Sequence, residues 1–169
     1  MSSSIVIMLL SVILSVSDSG KRLIKKYEGL ELEAYYCASG QRTIGYGHTR
    51  SNLDKITESQ ADSLLQIDLE VIEEYLNNNY DFNQNEFDAI ASFIYNIGIH
   101  RFSTSTFSRT LDSSELRKWV YAEGKYLAGL KARRDEEIAL YNTPIHTDWW
   151  LQIKDTIYPN YTKSIECIN

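Results

Sequence analysis

Between Leu32 and His48 the chain leaves the helical rhythm that governs almost everything after it, and this one strand-like stretch near the start constrains the fold more than any other feature. Its tyrosines alternate loosely with small residues, and "ASGQ" and "GYG" supply turn signals. Ahead of it, "SDSGKRLIKKYEG" reads as a helix with Ser17 or Ser19 as N-cap, Leu23, Ile24 and Tyr27 on one face, and Gly29 as its stop. After Asn52 the helical period returns. "TESQADSLLQIDLEVIEEYLNN" opens on Thr57 as N-cap and repeats Leu64, Leu65, Ile67, Leu69, Ile72 and Leu76 at roughly the 3.6-residue period. Further helical segments are expected at Gln84 to Ile97, around Ser103 to Leu111, at Ser113 to Tyr121 and at Leu130 to Tyr141. A small sheet followed by a helical body is an α+β fold, with a cleft expected between the sheet lobe and the helical lobe.

A chain of 169 residues suits one domain, and neither a repeat nor a composition shift marks a second. The expected boundaries are an apolar N-terminal segment over 1–17, one folded domain over 18–142 and a C-terminal extension over 143–169, packed on the domain. The run from Ile5 to Val16 would make a helix of about 18 Å, against a hydrocarbon core of about 30 Å. "SVS" (Ser15 to Ser17) offers a small-x-small cleavage site, but the basic residues Lys21, Arg22, Lys25 and Lys26 follow the run rather than precede it. Two readings stand: an export signal or weak signal anchor, and a terminal helix packed on the domain.

The formal charge of −6 speaks against a nucleic-acid binder and against electrostatic attraction to any polyanion. Two cysteines, Cys37 and Cys167, cannot build a disulfide framework or a four-ligand zinc site; they are two thiols or one bridging pair. His48, His100 and His146 show no metal-ligand spacing. Neither metal nor cofactor is expected.

Within "YEGLELEAYYCASGQRTIGYGHT" the residues Glu28, Cys37 and Thr43 follow the spacing E-x8-C-x5-T. A glutamate at the end of a helix, with strands arriving at once, stands at the lobe junction, where partial desolvation suits a general acid. The segment resembles the active-site region of the phage-type lysozymes, the endolysins of glycoside hydrolase family 24, in which a glutamate, an aspartate or cysteine and a threonine stand at these spacings. "TIGYGHT" is similar to that family's glycine-rich hairpin. "FIYNIGIHRFSTSTFSRTL" resembles its helix-and-turn segment across the cleft, and "WVYAEGKYLAGLKARRDEEIALY" resembles the segment that ends in its "GLxxRR" helix. The resemblance runs from Ser17 to Tyr141.

The resemblance implies a lysozyme-like catalytic domain that hydrolyses the β-1,4 bond between N-acetylmuramic acid and N-acetylglucosamine in bacterial peptidoglycan, with inversion. It makes Glu28 the acid on the leaving oxygen, with Cys37 orienting or deprotonating a water and Thr43 helping to hold it. An ordinary thiol, with a pKa of about 8.5, is only a few per cent thiolate at neutral pH. Cys37 therefore acts either as a thiolate of lowered pKa or as a neutral thiol. Some endolysins with cysteine at this position are held inactive by a caging disulfide, which here would join Cys37 to Cys167.

The resemblance also places Tyr46, Gly47 and Phe93 along sugar subsites, with core packing the competing reading for the two aromatics. Ser103, Thr104 and Thr106 either hydrogen-bond sugar groups or cap helices. Arg133 and Arg134 include a charge partner for the catalytic helix or lie on an exposed face. His48 supports the structure through a hydrogen bond or ion pair, with a catalytic role as the competing reading. Trp149 and Trp150 add an apolar contact to the body, the default reading, or to glycan. The implied enzyme is a monomer exported from the host cytoplasm to the cell wall, or secreted, with membrane contact only through the N-terminal segment. Two rivals are a glycan-binding relative without activity and a membrane-active lysis protein.

Overall fold

The computed structural model describes residues 13–37 and 40–145. Helix α1 (Asp18–Glu28) begins where the Ser17 side chain accepts hydrogen bonds from the N–H groups of Ser19 and Gly20, and stops at Gly29. Ser17 is itself held from behind, because its N–H and hydroxyl both donate to the buried carboxylate of Asp88. Strand β1 (Glu31–Tyr36) then pairs antiparallel with β2 (Arg42–Gly45), with Tyr35 opposite Thr43 and Tyr36 opposite Arg42, and one irregularity between Glu31 and Tyr35. The segment after β2 returns beside β1 through Ala34 N–H to the Asp54 carbonyl and Ile56 N–H to the Leu32 carbonyl, both 2.9 Å. Arg42 clamps it by donating to the Ser51 and Leu53 carbonyls and to Asp54.

Helix α2 (Glu58–Asn79) starts in a capping box of Thr57 and Gln60, which satisfies two orphan N–H groups reciprocally. It buries Ala61, Leu65, Leu69, Ile72 and Leu76, one stripe at three- and four-residue steps. Ile67, grouped with that rhythm from sequence, lies off the stripe and is half exposed. Helix α3 (Gln84–Ile97) spans the expected residues and is buried continuously from Phe87 to Ile94, because it packs against α1, α2 and α6 at once.

The C-terminal half departs from the sequence reading. The helix expected around Ser103 to Leu111 is two short ones, α4 (Ile99–Ser103) and α5 (Phe107–Thr110). The segment from Ser113 to Tyr121 is a 3₁₀ helix (Ser113–Lys118) that gives way to a hairpin of β3 (Tyr121–Ala122) and β4 (Lys125–Tyr126). Glu123 and Gly124 turn that hairpin at φ +50° and +74°, positive values that suit a tight two-residue turn between twisted strands. Helix α6 (Ala128–Tyr141) closes the body. Phe82, Phe87, Phe93, Phe102 and Phe107 are buried in the core between these helices.

Residues 13–17 are not helical. Asn77 brackets Leu14 by accepting from its N–H and donating to its carbonyl, Glu73 accepts from the Val16 N–H, and Val16 is buried. At these residues side chains of α2 take the backbone groups that a helix would have paired. The rest of the apolar run lies outside the described residues, as do His146, Trp149, Trp150 and Cys167, and with them the tail and the Cys37–Cys167 bridge. Among the described residues no helix is long and apolar enough to cross a membrane.

Candidate active site

Glu28 is the last residue of α1, where the negative end of the helix dipole disfavours an anion. Its countercharge comes from α6: Arg133 Nη1 lies 2.5 Å from Glu28 Oε1. Arg133 is in turn held from three sides. Its Nε donates to Glu137 Oε1 at 3.1 Å, its Nη2 donates to the Ser92 carbonyl at 2.9 Å, and the Tyr27 ring lies 5.6 Å away. Glu137 accepts the Ser92 hydroxyl at 2.8 Å as well, and pairs with Arg134, whose Nη2 donates to Oε1 at 3.0 Å while Nε lies 2.8 Å from Oε2. The last contact is an ion pair whose angle falls outside hydrogen-bond geometry. Burial pushes the Glu137 carboxyl up against the opposing pull of Arg134 and Arg133, and pushes the Arg134 guanidinium down. The result is a chain of alternating charge, Glu28–Arg133–Glu137–Arg134, whose last three members are buried.

The hairpin gathers the second group. The Gln41 carbonyl accepts both the Cys37 N–H at 3.0 Å and the Thr43 hydroxyl at 3.1 Å, so Cys37 and Thr43 meet at one backbone oxygen. Thr43 is buried, with its proton committed to that oxygen and its lone pairs left to accept. Tyr35, the cross-strand partner of Thr43, stands within electrostatic reach of both Cys37 and Glu28; burial first, then Glu31, Cys37 and Glu28, push its phenol up.

Gly47 closes the arrangement. Its φ of +96° disfavours any side chain, and a Cβ there would stand 3.7 Å from Glu28 Oε2 and 4.0 Å from the Tyr95 ring. Tyr95 donates to the Tyr46 carbonyl at 2.8 Å, and burial, with Asp68 and Glu28 adding to it, pushes its phenol up. From Gly47 a cleft of about 410 Å³ opens between the end of the hairpin, α2 at Asp68 and Ile72, and the end of α3 at Ile94 and Tyr95.

Several expected site residues are placed differently. Phe93 is fully buried, packed edge-on against Phe102 and Trp119 and covered by Arg134 at 4.6 Å, so its ring cannot line a sugar subsite. The Tyr46 ring is buried too, with Lys25 over it at 5.0 Å, and only its carbonyl reaches toward Tyr95. Core packing takes both aromatics. The exposed hydroxyls of Ser103 and Thr104 donate to the His100 and Arg101 carbonyls and close the end of α4. Thr106 precedes α5 and makes no side-chain cap. His48 is buried on Asp68 at 2.9 Å, with Arg50 on the same carboxylate. Arg133 and Arg134 are not on an exposed face; they are 2% and 0% exposed.

Tyr35, Ser92, Tyr95 and Glu137 were missed from sequence. The one available signal was the spacing of Glu137, four residues after Arg133 and three after Arg134, which puts all three within reach on one helix.

Residues 25–137 match the family model for phage lysozyme. The endolysin of Acyrthosiphon pisum secondary endosymbiont phage 1 is 41% identical over 143 residues, covering 76% of this chain and 98% of that one. Among solved structures, the muramidase domain of SpmX from Asticaccaulis excentricus superposes with a TM-score of 0.71 at 36% identity, over 77% of this chain and 99% of that one. The endolysin from Escherichia coli O157:H7 phage FAHEc1 gives 0.69 at 35% identity, over 78% and 96%. The chain belongs to the phage lysozyme family.

Proposed function

We propose that this protein is a lysozyme that cleaves the β-1,4 bond between N-acetylmuramic acid and N-acetylglucosamine of bacterial peptidoglycan by single displacement with inversion, and that it acts as a monomer of catalytic domain 18–142. The observation that carries the reading is Glu28, gripped through Oε1 by the buried Arg133, with Oε2 turned toward Gly47 beside the cleft. Arg133 fixes one carboxyl oxygen so that the other meets the glycosidic oxygen and delivers its proton there. Gly47, lacking a side chain, keeps the approach to that oxygen open. On the opposite sugar face, the Thr43 hydroxyl, already donating to Gln41, accepts a hydrogen bond from the attacking water, and Cys37 takes that water's proton as its oxygen bonds to the sugar carbon and the glycosidic bond breaks. An inverting enzyme leaves room for that water between its acid and its base.

The test is clearing of a peptidoglycan suspension by wild type and Glu28→Gln, with and without reductant. Wild type clears, and Glu28→Gln loses about 10²- to 10⁴-fold in rate, the usual range for a general acid. Product released from the β-linked polymer first appears as the α-anomer by proton NMR. A gain on reduction identifies a caging disulfide at Cys37. Glycan binding without clearing by wild type leaves a binding relative instead.

A further inference from the structure

The 3₁₀ helix, the β3–β4 hairpin and α6 enclose a cavity of about 210 Å³ lined by Arg117, Val120, Tyr126, Lys131, Arg134 and Asp135. It is separate from the Glu28 cleft. Arg133 turns toward Glu28, while its neighbour Arg134 lines this cavity instead, because successive residues of a helix point about 100° apart. Tyr126 packs edge-on against Tyr121, their rings 5.9 Å apart. Tyr121 lines a different cavity, beside which Arg101 stands 4.9 Å over the Trp119 ring.

Three cations converge on the smaller cavity, in a chain with 17 basic residues against 23 acidic ones. Arg134 is fully buried, and its Nε and Nη2 edge faces Glu137. Nη1 lies on the opposite edge of the planar group, and among the described residues it has no hydrogen-bond acceptor. Glu137 is also shared with Arg133, so Arg134 holds only part of one carboxylate. A buried donor left without an acceptor costs free energy that an arriving anion offsets. At the rim, Arg117 is exposed, and among the described residues no carboxylate pairs with it. It stands within electrostatic reach of the Lys131 ammonium, and two like charges at one cavity repel until an anion comes between them. Lys131 meets Asp135 at 2.5 Å and keeps further N–H donors to spare.

We propose that this cavity is a binding site for a phosphate group, seated between the Arg117 fork and the Lys131 ammonium above the buried Arg134. Phosphate fits better than a carboxylate. Its oxygens form a tetrahedral array, so guanidiniums from two different elements and an ammonium can each align on it. A carboxylate offers one plane, and the carboxylates of Asp135 and Glu137 already stand beside Lys131 and Arg134. The site gives an acidic protein one place to hold a phosphate-bearing molecule at close range. It uses no group of the Glu28 cleft and stands independently of the lysozyme reading.

The experiment titrates inorganic phosphate into the full chain at constant ionic strength and follows binding by calorimetry, with no glycan present. Wild type binds one phosphate. Arg117→Gln weakens binding by about tenfold, the order of one charge-assisted hydrogen bond, and Arg117→Lys recovers part of the loss. Asp135→Asn tightens it, because the carboxylate that repels the anion is gone. Both positions are exposed, so the fold is kept. Wild type that takes no phosphate overturns the assignment. So does equal affinity in wild type, Arg117→Gln and Asp135→Asn, since the ion then sits elsewhere. Pelleting with vesicles of phosphatidylglycerol but not of phosphatidylcholine, lost in Arg117→Gln, assigns the group to a lipid headgroup. Phosphate binding without such pelleting assigns it to a soluble phosphate ester. Wild type that binds phosphate but leaves peptidoglycan intact overturns the lysozyme reading alone.

Discussion

Glu137 touches no substrate in this scheme, yet the position of Glu28 depends on it. Glu28 sits at the wrong end of a helix dipole and needs Arg133. Arg133 in turn needs Glu137 and Ser92 to hold a guanidinium inside the body. Breaking a buried pair from one side leaves an uncompensated charge and costs about 3–5 kcal/mol. Glu137→Ala is expected to lower stability by about that much in urea titrations, since it strands two guanidiniums at once. Lys55→Ala removes only the exposed partner of Glu33 and leaves the urea midpoint unchanged. Equal midpoints for the two variants would show that the relay does not support the fold. At this scale the sequence was legible where a side chain's role depends on its neighbours along the chain: Glu28 ends α1, and Cys37 and Thr43 flank one turn. Phe93 and Tyr46 were misplaced because burial is a tertiary quantity, and an aromatic beside a cleft and one beneath it look the same in sequence.

Among the elements, the β1–β2 hairpin and the segment that follows it set the working geometry, and Gly47 is its most constrained point. A non-glycine residue at φ +96° stores strain of about 1–3 kcal/mol. The added Cβ, 3.7 Å from Glu28 Oε2, would also screen the oxygen proposed to deliver the proton. Gly47→Ala is therefore expected to lower stability by about 1–3 kcal/mol in urea titrations and to slow clearing beyond what that loss explains. Full clearing activity at a temperature where the variant remains folded would remove Gly47 from the site. Elements with strong local signals were readable in advance: α1 between Ser17 and Gly29, α2 from its Thr57 N-cap and apolar period, and α3 residue for residue. The β3–β4 hairpin was not, because two-residue strands carry no periodicity and Glu-Gly is a weaker turn signal than Asn-Gly or Asp-Gly.

The whole molecule carries a net charge of −6 and acts on an anionic polymer, so long-range electrostatics oppose encounter. Raising ionic strength from about 10 mM to about 150 mM shortens the screening length from about 30 Å to about 8 Å. The rate of clearing is expected to rise over that interval, opposite to the behaviour of a basic enzyme drawn to the wall. A steady fall with added salt would mean that a local cationic surface, rather than net charge, governs encounter.

The sequence by itself determined the α+β class, the placement of Glu28, Cys37 and Thr43 around a helix end and a hairpin, and the family, because each depends on caps, turns and short spacings that the local chain enforces. Only the tertiary structure decided that Arg133 rather than solvent faces Glu28, that Glu137 lies buried between two arginines, that Phe93 is core, and that Arg101 stands over Trp119 beside a cavity. Those outcomes come from contacts between residues far apart along the chain, and they are set by which faces the packed helices turn toward one another.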